Sequence, residues 1–95
     1  MKRVLLVEDD DGIAELVEGA LARDGLRVDR MTDAESALLS LARSEPDAIL
    51  LDLGLPGKDG HELCRIVRRT RRTPILILTS RREELDKVLG LELGA

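Results

Sequence analysis

Short apolar runs and helical apolar stripes alternate along the whole chain. Arg3–Val7 reads Arg-Val-Leu-Leu-Val, an apolar run too short for a helix and rich in β-formers, so it predicts a buried strand. Asp10 and Asp11 then offer N-cap chemistry. Ile13, Leu16, Val17, Ala20 and Leu21 follow at i, i+3, i+4, i+7 and i+8, the apolar face of an amphipathic helix. Gly25 suits the left-handed turn that stops it. Residues 26–31 alternate Leu, Arg, Val, Asp, Arg, Met, the period of a half-exposed edge strand.

Thr32-Asp33-Ala34-Glu35 fits a capping box, and the helix it opens sets Ala34, Ala37, Leu38, Leu41 and Ala42 on one face. Pro46 closes that segment. Residues 48–51 are continuously apolar and end at Asp52, the mark of a strand buried on both faces. Turn-forming residues crowd positions 53–60, and Leu63, Ile66 and Val67 mark a third helix. Pro74 precedes Ile75–Leu78, a fourth strand that stops at Thr79-Ser80. A fourth helix begins near Glu83, with Leu85, Val88 and Leu89 facing inward. Strand and helix therefore alternate as β-α-β-α-β-α-β-α. Connections this short demand parallel strands, right-handed crossovers and helices on both faces: an α/β, doubly wound parallel sheet in one domain, residues 1–95.

Composition narrows the function. The 95 residues contain no Phe, Tyr or Trp, so the core is aliphatic. A net charge of −4 gives no electrostatic footprint for nucleic acid or an anionic membrane. No apolar run approaches the ~20 residues that span a bilayer. A single cysteine, Cys64, cannot form an internal disulfide, and a reducing cytoplasm is the expected location.

In an open parallel sheet, ligands sit beyond the carboxyl ends of the strands. Those ends carry Glu8, Asp9, Asp10 and Asp11 after the first strand, Asp52 after the third, and Thr79 and Ser80 after the fourth. If strands one and three are neighbours, Asp9 and Asp52 face each other across a crevice. Crowded carboxylates need a cation or a raised pKa. An all-oxygen site with few protein ligands suits Mg²⁺, and beside the metal a carboxylate can attack phosphorus in line. No glycine-rich phosphate loop follows the first strand, and the acids there would repel a nucleotide without a metal.

Three motifs in order carry a family resemblance: Val4-Leu5-Leu6-Val7-Glu8-Asp9-Asp10; then Leu50-Leu51-Asp52-Leu53 through Leu55-Pro56-Gly57-Lys58-Asp59-Gly60; then Pro74-Ile75-Leu76-Ile77-Leu78-Thr79-Ser80. Together they resemble the response-regulator receiver domains of two-component signalling, over the whole chain. The resemblance implies a flavodoxin-like sheet, here of order 2-1-3-4. It also implies a phosphoacceptor aspartate at Asp52, phosphorylated by a histidine kinase with Mg²⁺. Asp9 would bind the metal directly, Glu8 through water, Asp52 as ligand and acceptor both, and Gly54 through its backbone carbonyl. Thr79 would hydrogen-bond the phosphoryl group and report it to the fourth helix. Residues 79–95 look most like receivers of winged-helix transcription factors, in which Lys87 and Glu92 match charged positions on a dimer face. DNA would then be bound by an output domain, not by this segment.

A complete receiver continues into a fifth strand and helix that hold the family's lysine and switch aromatic. Neither has a counterpart among these residues, and Lys58 and Lys87 do not stand where they would. The expectation is therefore a receiver lacking its last unit, an impaired acceptor, and self-association through the fourth helix or the exposed edge of the fourth strand. Two other functions fit parts of the pattern. One is a protein-interaction module that is not phosphorylated. The other is a Mg²⁺-dependent phosphatase with Asp52 as nucleophile, although Gly54 stands where such enzymes carry a second aspartate. His61 near a helix start, and the run Arg65, Arg68, Arg69, Arg71 and Arg72 at a helix end, read as solvated structural positions.

Overall fold

The computed structural model describes residues 2–52 and 60–78. Within them the order is β1 (Arg3–Val7), α1 (Asp11–Arg23), β2 (Arg27–Met31), α2 (Ala34–Arg43), β3 (Ala48–Asp52), α3 (Gly60–Thr70) and β4 (Ile75–Leu78). The four strands are all parallel, in the order β2-β1-β3-β4. This is the doubly wound sheet that the pattern predicts. The predicted fourth helix, with Leu85, Val88 and Leu89, lies outside the described residues, as do Gly54 and Thr79.

Burial explains which strands are central. Val4, Leu5, Leu6 and Val7 of β1 are all buried, so both faces of that strand are covered. On one face Leu5, Val7, Ile49, Leu51, Ile75 and Ile77 meet Ala34, Ala37 and Leu41 of α2 and Leu63, Cys64 and Val67 of α3. These strand positions alternate because a pleated strand sends every second side chain to the same side. On the other face Val4 and Leu6 are buried, and α1, which packs against β2, buries Ala14 to 1% exposed. The reversal after β2, from a crossover over one face to a crossover over the other, leaves the crevice between β1 and β3 open at their carboxyl ends.

Helix ends are fixed by local chemistry. The Asp10 carboxylate accepts from the Ile13 N–H at 2.9 Å and caps α1. At the other end Gly25 takes φ 80°, the left-handed turn foreseen from its place after the helix. In α2 the capping residue is Asp33, which accepts from the Ser36 N–H at 2.7 Å. The capping box set on Thr32 is thus displaced by one residue, because a carboxylate competes better than a hydroxyl for the exposed amide. That same bond holds the Asp33 carboxyl below its usual value.

The apolar stripe of α1 is only partly used. Leu16 is 76% exposed, Ile13 is 41% exposed and Ala20 is exposed, while Ala14 is buried and Val17 and Leu21 are half-buried. The helix rests on the edge of its stripe, through positions i, i+3 and i+7 from Ala14. The expectation that Leu16 faces inward is corrected accordingly. In α2, Ala42 is likewise exposed, at the margin of a stripe whose centre is Ala37 and Leu41.

Among the described residues no helix is long and apolar enough to cross a membrane.

Candidate functional site

β1 and β3 pair in register, Val7 opposite Leu51, so the residues that follow emerge side by side. Glu8, Asp9 and Asp52 form a cluster in which one carboxylate oxygen from each lies within 4.8 Å of the others. Glu8 is 1% exposed, Asp52 is half-buried and Asp9 is exposed. The site therefore grades from a buried floor to an open mouth.

Glu8 is held from several sides. Its backbone N–H donates to the Met31 carbonyl at 3.0 Å, which continues the β1–β2 ladder by one step. Its Oε2 accepts the Asp10 N–H at 3.1 Å. Burial raises the Glu8 carboxyl from 4.5 to about 7. The Asp10 N–H opposes that rise, whereas Asp52, by hydrogen bond and repulsion, and Asp9, by hydrogen bond, add to it.

The sign of the linkage follows directly. Between pH 4.5 and about 7 the folded state holds a proton on Glu8 that the unfolded chain has released. The corresponding stability is complete below 4.5 and is lost as pH rises through about 7. Without metal the domain is expected to be less stable at pH 8 than at pH 5 by on the order of 2–3 kcal/mol. Urea unfolding at fixed ionic strength measures the difference, and Glu8→Gln should remove most of it. Asp33 shifts the opposite way, but its window lies below 3.8 and does not overlap.

The donor set fits a small hard cation. Three carboxylates are acceptor-only when ionised, and their mutual repulsion is relieved by a divalent charge. Opposite ligands of Mg²⁺ stand about 4.2 Å apart at ~2.1 Å per bond, so a spread of 4.8 Å needs little closure. Gly54 and Thr79, the other two expected members, fall outside the described residues. Asp10 and Asp11 do not join the cluster: Asp10 caps α1, and Asp11 is 92% exposed and pairs with Arg30.

Arg30 is a member of the neighbourhood that the pattern did not single out. Its Nε donates to the Glu8 carbonyl at 3.0 Å, and its Nη1 meets Asp11 Oδ1 at 2.9 Å. Nη2 is buried without an acceptor among the described residues, a cost of about 1–3 kcal/mol for such a donor. A signal was available. Leu26, Val28 and Arg30 share one parity of the β2 alternation, so Arg30 lies on the sheet face of Val4 and Leu6, opposite the face on which Met31 meets the core. His61 is exposed, and Cys64 belongs to the core between α3 and the sheet.

Known proteins share this sequence pattern and fold. A family model described as the response regulator receiver domain matches residues 4–95. The transcriptional regulatory protein AfsQ1 of Streptomyces coelicolor is 47% identical over 95 residues, which is 100% of this chain and 42% of that protein. This chain thus spans less than half the length of that relative. The BeF3-activated N-terminal receiver domain of Klebsiella pneumoniae RstA superposes with a TM-score of 0.87 at 37% identity, covering 99% of this chain and 80% of that one. The chemotaxis response regulator CheY4 of Vibrio cholerae does so with a TM-score of 0.86 at 32% identity, covering 100% of this chain and 82% of that one. Sheet order, strand-end acids and these matches agree, and the chain belongs to the response regulator receiver family.

Proposed function

We propose that this chain is a phosphoacceptor receiver, phosphorylated on Asp52 by a histidine kinase. The observation that carries the reading is the approach of Glu8, Asp9 and Asp52 to within 4.8 Å at the ends of the two central strands. In this reading Asp9 and Asp52 hold Mg²⁺ directly, Glu8 holds it through water, and the Gly54 carbonyl completes the protein's share. When bound, the metal neutralises charge on the phosphoryl oxygens. An Asp52 carboxylate oxygen attacks the phosphorus of a phosphohistidine in line, forming an O–P bond as the P–N bond breaks and the imidazole keeps the electron pair. The Thr79 hydroxyl then donates to the phosphoryl group. Turnover of a substrate is not part of this role. The domain is the acceptor, with at most slow self-phosphorylation and self-dephosphorylation.

The kinase and this domain meet in the cytoplasm. Output, a winged-helix domain acting on DNA, belongs to a longer regulator of the kind exemplified by the transcriptional relative. Contact between copies of this chain along β4 is supported by Leu76, which is 47% exposed on a strand whose sheet partner among the described residues is β3.

Incubation with acetyl phosphate and Mg²⁺, borohydride reduction and peptide mapping tests the assignment. Label is expected on Asp52 and is expected to vanish with a chelator. Label on His61 or Asp9 instead would sink the reading.

A further inference from the structure

We infer that Arg30 is a positioning residue for the metal site, a guanidinium bridge that fixes the backbone carrying Glu8 and Asp9. This rests on the reading of Glu8, Asp9 and Asp52 as the Mg²⁺ site.

The bridge spans two points of one short loop. Nε holds the Glu8 carbonyl at 3.0 Å, and Nη1 holds the Asp11 carboxylate at 2.9 Å, at the first residue of α1. Asp9 lies between the two anchors and is exposed, so packing does not hold it. Its carboxylate nevertheless lies within 4.8 Å of ligand oxygens on Glu8 and Asp52. The backbone on either side of it is set by six contacts: the Glu8 N–H on Met31, the Asp10 N–H on Glu8, the Ile13 and Ala14 N–H groups on Asp10, and the two bonds from Arg30. Arg30 makes the two that reach in from outside the loop through a side chain.

Arg30 is poorly explained as a stabiliser. It shares a sheet face with the buried Val4 and Leu6, its side chain is 22% exposed, and its Nη2 is buried with no acceptor among the described residues. It also brings a positive charge beneath the amino end of α1, where the helix dipole disfavours one. Both features make sense if the residue is retained for the two bonds to the loop.

Position and charge predict opposite signs for metal binding. A cation beside the site repels Mg²⁺, so if charge were its whole effect, removing it would tighten binding. If Arg30 positions the loop, its removal weakens binding, and loss of a partner that orients metal ligands typically costs 10–100-fold. The experiment measures Mg²⁺ affinity by calorimetry for wild type, Arg30→Met, Arg30→Lys and Asp52→Asn, with amide hydrogen exchange of residues 8–11. Arg30→Met is expected to bind Mg²⁺ about tenfold more weakly and to exchange faster at residues 8–11 while β1 and β3 stay protected. Arg30→Lys keeps the charge and the stem but cannot span both anchors, so it should also weaken binding, by about threefold or more. It carries the test alone if the Met variant does not fold. Tighter or unchanged binding in the folded variants would overturn the inference. If Asp52→Asn leaves Mg²⁺ affinity untouched, the site itself has been misread, a failure distinct from that of Arg30.

Discussion

Replacing Asp52 with Asn is expected to reduce labelling by acetyl phosphate by about 100-fold or more, because the attacking oxygen itself is lost. The same substitution should stabilise the metal-free domain. At pH 8 Glu8 is ionised, since its pKa is about 7, and it then shares a 4.8 Å cluster with two other carboxylates. Removing one charge relieves repulsion worth about 1–2 kcal/mol at the effective dielectric of a partly buried site. Phosphate incorporation and urea unfolding, measured on one preparation, should move in opposite directions. Loss of labelling together with loss of stability would point to a damaged fold and would count against Asp52 as the acceptor.

Leu51→Ala should show the largest effect on stability. Leu51 is 1% exposed in β3 and belongs to the core shared with α2 and α3. The cost is about 3–4 kcal/mol, the lost transfer of the side chain plus the cavity it leaves. A domain of this length has on the order of 5–14 kcal/mol in total, so the variant should lose a large share of its stability. The identical substitution at Leu16, 76% exposed on α1, should change stability by less than about 0.5 kcal/mol. Denaturant midpoints of the two variants measure the contrast. Equal effects would mean that the apolar stripe of α1 is buried after all.

Legibility in the sequence followed the range of the interactions. Strand bounds were readable because continuous apolar runs too short for a helix mark strands: residues 48–51 and Ile75–Leu78 reappear as strands with at most one residue added, although β4 is covered on one face only, with Leu76 47% exposed. The acids were readable because strand ends in a parallel sheet are where ligands gather, and Glu8, Asp9 and Asp52 do converge. Three details were not. The α2 cap sits on Asp33 rather than Thr32, a choice between adjacent acceptors that spacing alone does not make. The rotation of α1 that exposes Leu16 depends on where the helix rests on the sheet, and a helical period carries no such information. Arg30 was hidden for a third reason. Its partners lie on another element, and the Glu8 carbonyl is 22 residues away. Alternation told which way Arg30 points but not what it meets.

The order of the sheet also decides when the site comes into being. β1 lies between β2 and β3, and the bond from the Arg3 N–H to Asp47, at the foot of that second pairing, joins residues 44 apart. Pairing of residues so far apart forms later than local contacts, because its loop-closure entropy must be met before the contacts stabilise it. Until it happens, Glu8 and Asp9 are acids on a β-α-β unit without Asp52 beside them. The cluster is thus a product of the central pairing and of nothing local. A half-folded chain, or a fragment ending before β3, has no acidic site to occupy, and occupancy of the site reports that the middle of the sheet has closed.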